Sequence, residues 1–333
     1  MKIAIFEAER WEQDAFESLE SRHDLSFFEE PLSAERAEAN RDAEILSTFI
    51  YSDLSQETLR EFENLKLIAT RSTGFDHIDT GYCEERGIKV ANVPSYGDNT
   101  VAEHVFALLL AISHHLVEAA DRTRRGDFSL AGLRGFDLQG KTFGVIGTGS
   151  IGQHAIKIAK GFGMNVVAHD PKPDDDAARK LGFDYQGLSG VLSQADVVTL
   201  HVPGTKATHH LVSRDEFDEM KDGVVLINTA RGTVVDTEAL IRALADGKVL
   251  AAGLDVLPEE PVIREEAELL RSVFTKEHDT EQLLANHVLL RLRNVVITPH
   301  SGFNTCEAVQ RILSTTRENI EAFTGEEPKN LVT

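Results

Sequence analysis

Residues 142–152 run TFGVIGTGSIG, an apolar β-rich stretch that breaks into three glycines and opens a helical pattern. Gly147, Gly149 and Gly152 stand in the spacing Gly-x-Gly-x-x-Gly, and each has a physical reason to be bare. The first permits a tight turn, the second lets backbone approach an anion, and the third lets the helix sit close on its strand. The N–H groups of Ser150 and Ile151, at the start of that helix, then face the anion. Glycine turns are common, so the spacing alone is weak. The next strand tightens it: NVVAH ends at Asp170, eighteen residues beyond Gly152. A carboxylate there accepts from both ribose hydroxyls of a dinucleotide and repels a 2′-phosphate. Only Lys172 follows, beyond Pro171, so the segment points to NAD rather than NADP. The alternative is that Asp170 merely caps a turn.

Outward from this turn, strands alternate with helices. KTFGVIG, NVVAHD, DVVTLHV, VVLINT, VLAAGLDV and NVVITPH make six strands, the count of a doubly wound dinucleotide fold. Upstream, KIAIF (2–6), ILSTFI (45–50), LKLIAT (65–70) and IKVANV (88–93) alternate with helical runs such as SQETLREFENL. This second series predicts another parallel sheet covered on both faces. It closes at VPSYGD, 93–98. One long helix is expected over 99–125, with Asn99 or Thr100 as N-cap, Glu103 in its first turn and Arg122, Arg124 and Arg125 near its end. At 333 residues the chain exceeds what one core supports. The tail beyond Gly302 holds one amphipathic helix, TCEAVQRILSTTRENIEAFTG, which cannot form a domain by itself. It is expected to return to the first unit; the alternative adds it to the second sheet. The expected fold is therefore α/β, with two doubly wound parallel-sheet domains and a cleft between them. Residues 1–98 and 302–333 form a discontinuous, flavodoxin-like domain, and 99–301 an inserted Rossmann domain.

Composition excludes several function classes. A formal charge of −21 repels nucleic-acid phosphates and anionic membrane surfaces, so neither is an expected partner. The same charge obliges any anionic substrate to meet a local positive group. Cys83 and Cys306 are too few for a disulfide framework and lack CxxC spacing, which fits a reducing cytoplasm. The start, MKIAIFEAERWEQD, turns acidic too soon for a signal peptide. VFALLLAI, at 105–112, is far short of the roughly 20 residues that span a bilayer.

Chemistry gathers where the later strands end, the edge at which open parallel sheets bind ligands. DVVTL runs into His201, Val202 and Pro203; VVLIN into Thr229, Ala230, Arg231 and Gly232; AAGL into Asp255; VVIT into Pro299 and His300. The guanidinium of Arg231 suits a carboxylate, although a salt bridge within so acidic a chain is a serious alternative. In LPEEP, Glu259 and Glu260 are solvated unless Glu260 reaches an imidazole, whose charged form it would then favour. His114 with His115, and His209 with His210, have no carboxylate or cysteine spacing to complete a metal set, so no metal is expected. Ser72 lacks a nucleophile elbow, which argues against a serine hydrolase.

Several segments in one order carry a resemblance: RSTGFDHID (71–79), PSYGDNTVAEH (94–104), GVIGTGSIG, HVP followed by TKATHH, INTARGTVVD (227–236), GLDVLPEEP (253–261) and NVVITPHSGFNT (294–305). Together the chain resembles the NAD-dependent D-isomer-specific 2-hydroxyacid dehydrogenases, in their D-lactate dehydrogenase-like branch. The resemblance implies reversible NADH-dependent reduction of a small 2-keto acid, most simply pyruvate, to a D-2-hydroxy acid. It implies that Arg231 clamps the substrate, that His300 is the acid/base, and that Glu260 orients and charges His300. By the same resemblance, backbone N–H groups of Ser72, Thr73 and Gly74 would hold the carboxylate, and Tyr96 and Phe303 would line the site. Val101, His201, Val202, Pro203, Thr229, Ala230, Arg231, Asp255 and His300 lie near the cofactor, together with Gly147, Gly149, Ser150, Ile151, Gly152 and Asp170. It also implies a homodimer through the 99–125 region, by the apolar LLLAI face of the helix; the alternative is that this face packs only inside its own chain. There are departures: Asn304 follows Phe303 where an aromatic pair is common, Arg71 stands where a phosphite-oxidising relative has lysine, and Glu260 where formate dehydrogenases have glutamine. The first leaves open what fits the substrate's methyl end, and the other two count against phosphite and formate oxidation; glyoxylate or hydroxypyruvate reduction is the alternative activity. A binding protein of the NAD(H)-sensing corepressor type is the alternative from another class.

Overall fold

In the computed structural model, residues 1–258 and 280–333 are described, with backbone alone for 280–283. They divide into two units, Met1–Tyr96 with Asn304–Thr333, and Gly97–Phe303.

The first unit is built on five parallel strands: β1 (Lys2–Ile5), β2 (Asp24–Phe27), β3 (Ile45–Thr48), β4 (Leu67–Thr70) and β5 (Lys89–Ala91), in the order β2-β1-β3-β4-β5. Every residue of β3 and β4 is buried, which explains why ILST and LIAT lack alternation. β2 is not among the strands expected from the sequence. Its four residues, DLSF, lie at the sheet edge, none fully buried, so the segment carries little apolar signal. The helix Cys306–Thr324 belongs to this unit and buries Ala308, Val309, Ile312, Leu313, Thr316, Asn319 and Ile320, one stripe of a 3.6-residue period. Asn319 Nδ2 donates to Asn92 O at 2.8 Å, and beyond the helix Val332 N donates to Val90 O at 2.8 Å.

The second unit holds seven parallel strands: β6 (Thr142–Ile146), β7 (Asn165–His169), β8 (Asp184–Tyr185), β9 (Val197–Leu200), β10 (Val224–Asn228), β11 (Val249–Leu254) and β12 (Val295–Ile297). Their order is β12-β11-β10-β9-β6-β7-β8. The seventh strand, β8, is two residues long and too short for a periodic pattern to reveal. The chain moves outward from β6 to β8 and then crosses back to β9, so the order reverses between β6 and β9. Such a reversal opens a crevice at the strands' carboxyl ends.

The expected single helix over 99–125 is instead two, Asp98–Ser113 and Leu116–Arg124, bent by 61°. Its N-cap is Gly97, not Asn99 or Thr100. His115 takes a left-handed conformation (φ 48°) and ends the first helix without glycine or proline. Two causes are visible. The first helix buries eight residues while none of the second is buried, so the apolar face has run out. In addition the Ser113 carbonyl accepts Phe136 N at 3.0 Å, and a Cβ on Gly135 would lie 1.8 Å from that oxygen. The returning loop thus occupies the helix end. Among the described residues no single helix is long and apolar enough to cross a membrane.

Candidate active site

The glycine turn after β6 explains its own sequence. Gly147 has φ 94°, and a Cβ there would lie 2.5 Å from His201 O, across the point where the strand order reverses. A Cβ on Gly152 would lie 2.2 Å from Gly147 O, so helix Ser150–Gly161 packs against the turn only with glycine. Gly149 differs: a Cβ there meets nothing within 4 Å. No protein group requires Gly149 to be bare, but a ligand lying on this backbone would. The helix it precedes has no side-chain N-cap bond.

At the end of β7, Asp170 accepts Thr148 N at 2.8 Å and Thr148 Oγ1 at 3.1 Å on one oxygen, and Lys172 N at 2.8 Å on the other. It does cap the turn, and in doing so is oriented. Burial works against its ionisation, but these donors outweigh it and hold the carboxyl below the usual carboxylate range. Oδ1 accepts from Lys172 N and retains acceptor capacity for a hydroxyl. After β9, burial pushes His201 down to about 4, so its imidazole is neutral at physiological pH. After β10, the hydroxyl of Thr229 is buried with no partner among the described residues, an unmet polar group at the ligand edge. A bare Gly149, an ionised Asp170 and an orphaned Thr229 hydroxyl fit a bound NAD.

His300 follows β12 in a left-handed conformation, φ 51°. Few residues other than glycine adopt it, histidine more readily than most, and here the turn is held by many bonds at once. His300 N donates to Asp255 O at 2.8 Å. The Asp255 carboxylate, 2 % exposed, accepts Thr298 Oγ1 at 2.5 Å, Ser301 N at 2.9 Å and Gly302 N at 2.8 Å. Burial opposes its charge, yet His104, Thr298 and Gly302 more than compensate and lower its pKa. Asp255 therefore spends its carboxylate on the segment that carries His300. His104 was not singled out in the sequence. The motif PSYGDNTVAEH contains it, but its partners lie about 150 and 190 residues away and no local pattern announces them.

Arg231 leaves β10 with Nη1 donating to Ala230 O at 2.8 Å and its stem against Gly204, where a Cβ would come within 3.0 Å. Asn228 fixes the turn, accepting Ala230 N and donating to Arg231 O, each at 3.0 Å. A Cβ on Gly232 would lie 2.1 Å from the carbonyl carbon of Leu257, so the exits of β10 and β11 pack backbone on backbone. Glu259 and Glu260, beyond Pro258, lie outside the described residues. The exits of β9, β10, β11 and β12 are neighbours in the sheet, which sets His201, Arg231, Asp255 and His300 in one row. Two strand spacings separate Arg231 from His300, roughly 10 Å of backbone.

In the first unit, β4 leads into Ser72, Thr73 and Gly74. Ser72 Oγ donates to Gly74 O at 2.6 Å and Thr73 Oγ1 to Val93 O at 2.7 Å, so side chains hold the turn. Among the described residues no hydrogen bond engages the N–H groups of these three. Arg71 before them, read in the sequence only as a departure, is the largest fully buried side chain. It donates to Phe6 O and Glu7 O, both at 2.6 Å, and to Ser47 Oγ at 3.2 Å. Tyr96 O accepts Arg311 Nε at 2.7 Å. Val101 stands in the first turn of helix Asp98–Ser113, and Phe303 is half-buried at the end of the second unit.

The family profile described as D-isomer specific 2-hydroxyacid dehydrogenase, NAD binding domain, matches residues 106–302. The chain is 35 % identical over 327 residues to a D-lactate dehydrogenase of Escherichia coli, covering 96 % of each. It is 34 % identical over 343 residues to a glyoxylate reductase of Thermococcus litoralis, covering 100 % of this chain and 97 % of the relative. Its fold matches a solved D-lactate dehydrogenase from Aquifex aeolicus, complexed with NAD and lactic acid. That match has a TM-score of 0.88 and 35 % identity, covering 99 % and 98 % of the two chains.

Proposed function

We propose, from the premise that this chain belongs to the D-isomer specific 2-hydroxyacid dehydrogenases and is an NAD-dependent oxidoreductase, that it reduces pyruvate to D-lactate. Likeness along nearly the whole chain to D-lactate dehydrogenases carries the choice of pyruvate. We assign the binding of NAD to Gly147, Gly149, Ser150, Ile151, Gly152, Asp170, His201, Val202, Pro203, Thr229, Ala230 and Val101. Bound NADH supplies the hydride; orientation and proton movement fall to the chain's own residues.

In this reading the Arg231 guanidinium neutralises the substrate carboxylate and polarises the adjacent carbonyl. The N–H groups of Ser72, Thr73 and Gly74 also receive the carboxylate, and Tyr96 and Phe303 shape the pocket at the methyl end. The His300 imidazolium gives its proton to the oxygen as the alkoxide forms, with Glu260 as its partner. Charge develops against groups already in place, which is where such donors lower a barrier most.

The competing substrates are glyoxylate and hydroxypyruvate, favoured by the likeness to a glyoxylate reductase. A panel of NADH oxidation rates with pyruvate, longer 2-keto acids, glyoxylate and hydroxypyruvate decides. Pyruvate is expected to give the highest kcat/KM, by at least about tenfold, since one group added or lost in a fitted pocket is worth about 1–3 kcal/mol. A higher value for glyoxylate or hydroxypyruvate overturns the lactate reading.

We further propose a cytoplasmic homodimer. Leu116, Val117, Phe128 and Leu130 are 58, 59, 78 and 84 % exposed, a concentration of large apolar side chains that a second copy would cover. Arg122 Nη1, donating to Ala131 O at 2.7 Å, ties the loop bearing Phe128 and Leu130 to the helix bearing the other two. Sedimentation should show a dimer at micromolar concentration and a monomer for Phe128→Asp with Leu130→Asp. A monomeric wild-type chain sinks this proposal.

A further inference from the structure

We infer that His104 is a positioning residue for the reaction, holding the turn that presents His300 through its contacts with Thr298 and Asp255. The inference rests on His300 as the acid/base of the proposed function.

Three elements distant in sequence meet at this imidazole. His104 lies on helix Asp98–Ser113, Asp255 follows β11 and Thr298 follows β12. His104 Nε2 is 2.9 Å from Thr298 Oγ1 and 3.3 Å from Asp255 Oδ1. The direction of the bonds follows from counting protons. The Thr298 hydroxyl has one, and it is given to Asp255 at 2.5 Å. Its oxygen can therefore only accept from His104, so Nε2 carries a proton and donates. The imidazole thereby completes a connected set: His104 donates to Thr298, Thr298 donates to Asp255, and Asp255 accepts from the N–H groups of Ser301 and Gly302, which directly follow His300.

Two glycines show that the approach of this helix is built in. A Cβ on Gly302 would lie 2.8 Å from Asp255 Oδ2 and 3.2 Å from the His104 ring. A Cβ on Gly253, in β11, would lie 3.0 Å from Leu108 Cβ, one turn further along the same helix. Both positions let the helix come close enough for Nε2 to reach the turn. The turn needs such support because His300 sits at φ 51°, a conformation that persists only where its surroundings over-determine it. Removing His104 leaves the half-buried Thr298 hydroxyl without its donor and the buried Asp255 carboxylate without a neighbour at 3.3 Å, and the misplacement falls on the reacting imidazole two residues beyond Thr298.

The test uses the whole enzyme. His104→Ala is expected to lower kcat for pyruvate reduction at least tenfold, while NADH affinity stays within about twofold of wild type. His104→Gln, whose amide Nε2 can donate at nearly the same reach, is expected to recover most of that loss. A merely structural role would lower thermal stability equally in both variants without this rescue. Thr298→Val breaks the same contact from the other side, so the double variant with His104→Ala should be no slower than the slower single. The inference is overturned if His104→Ala keeps kcat within twofold of wild type, if His104→Gln is as slow as His104→Ala, or if the two losses multiply. His300→Asn run alongside separates the two readings: if it is active, the acid/base assignment has failed, and if it is dead beside an active His104→Ala, only the inference has.

Discussion

Replacing His300 by alanine lowers kcat for keto-acid reduction by about 10³-fold, within the range by which a positioned general acid accelerates proton transfer. NADH binding, followed by fluorescence titration, changes little. The glycine turn, Asp170 and Thr229 lie at the exits of other strands and lose nothing. The turn's own bonds are also spared, because His300 N donates through its backbone and Asp255 holds Thr298, Ser301 and Gly302. Alanine is strained at φ 51°. His300→Asn controls for this, since asparagine tolerates the left-handed region, and the same loss is expected. Single-turnover kinetics locate the loss in the chemical step. Turnover near that of wild type in both variants would remove His300 from the mechanism.

Arg71→Ala is expected to destabilise the first unit by about 3 kcal/mol or more. The guanidinium is 2 % exposed and serves Phe6 O, Glu7 O and Ser47 Oγ. Each buried acceptor left unsatisfied costs about 1–3 kcal/mol, and the lost stem leaves a cavity besides. Burial pushes the guanidinium's pKa down and the nearby charges of Glu12 and Glu7 offset this only in part, so removing Arg71 also leaves two carboxylates facing a lost cation. Arg71→Lys supplies one charge without the planar fork and should fall between the two. Calorimetry that resolves two transitions assigns the loss, with the first unit's transition falling and the second's unmoved. A shift worth less than about 1 kcal/mol would show that water replaces the guanidinium at little cost. Since Ser72, Thr73 and Gly74 follow directly, KM for the keto acid should rise in Arg71→Lys.

What was legible in the sequence is what local chemistry dictates. Gly147 and Gly152 are bare because of atoms a few residues away or on the neighbouring strand, and the spacing expressed that. Strands buried at every residue, such as Ile45–Thr48 and Val224–Asn228, announce themselves as apolar runs. Edge strands do not: DLSF and the two residues Asp184–Tyr185 carry too little periodic signal. The break at His115 was hidden for another reason. Its cause is a loop some twenty residues downstream that takes up the Ser113 carbonyl, and nothing within the helical stretch records it. Likewise the motifs supplied Asp255 and Arg71 as residues without saying which way each would turn. Asp255 faces Thr298 to Gly302, and Arg71 faces Phe6, Glu7 and Ser47. Such directions belong to the assembled sheet rather than to the segment.

The helix Cys306–Thr324 completes a unit whose five strands are all made before Tyr96. On the ribosome, residues 1–96 therefore emerge with the stripe that Ile312, Leu313 and Ile320 will cover still bare, and Asn92 O waits for Asn319. The inserted unit, Gly97–Phe303, is synthesised in between and needs none of those residues for its sheet. The order of synthesis thus inverts the order of completion: the segment made first is finished last. During that interval the apolar surface still waiting for its own chain to cover it belongs to the first unit, and a chaperone acting on the nascent chain would find a target there.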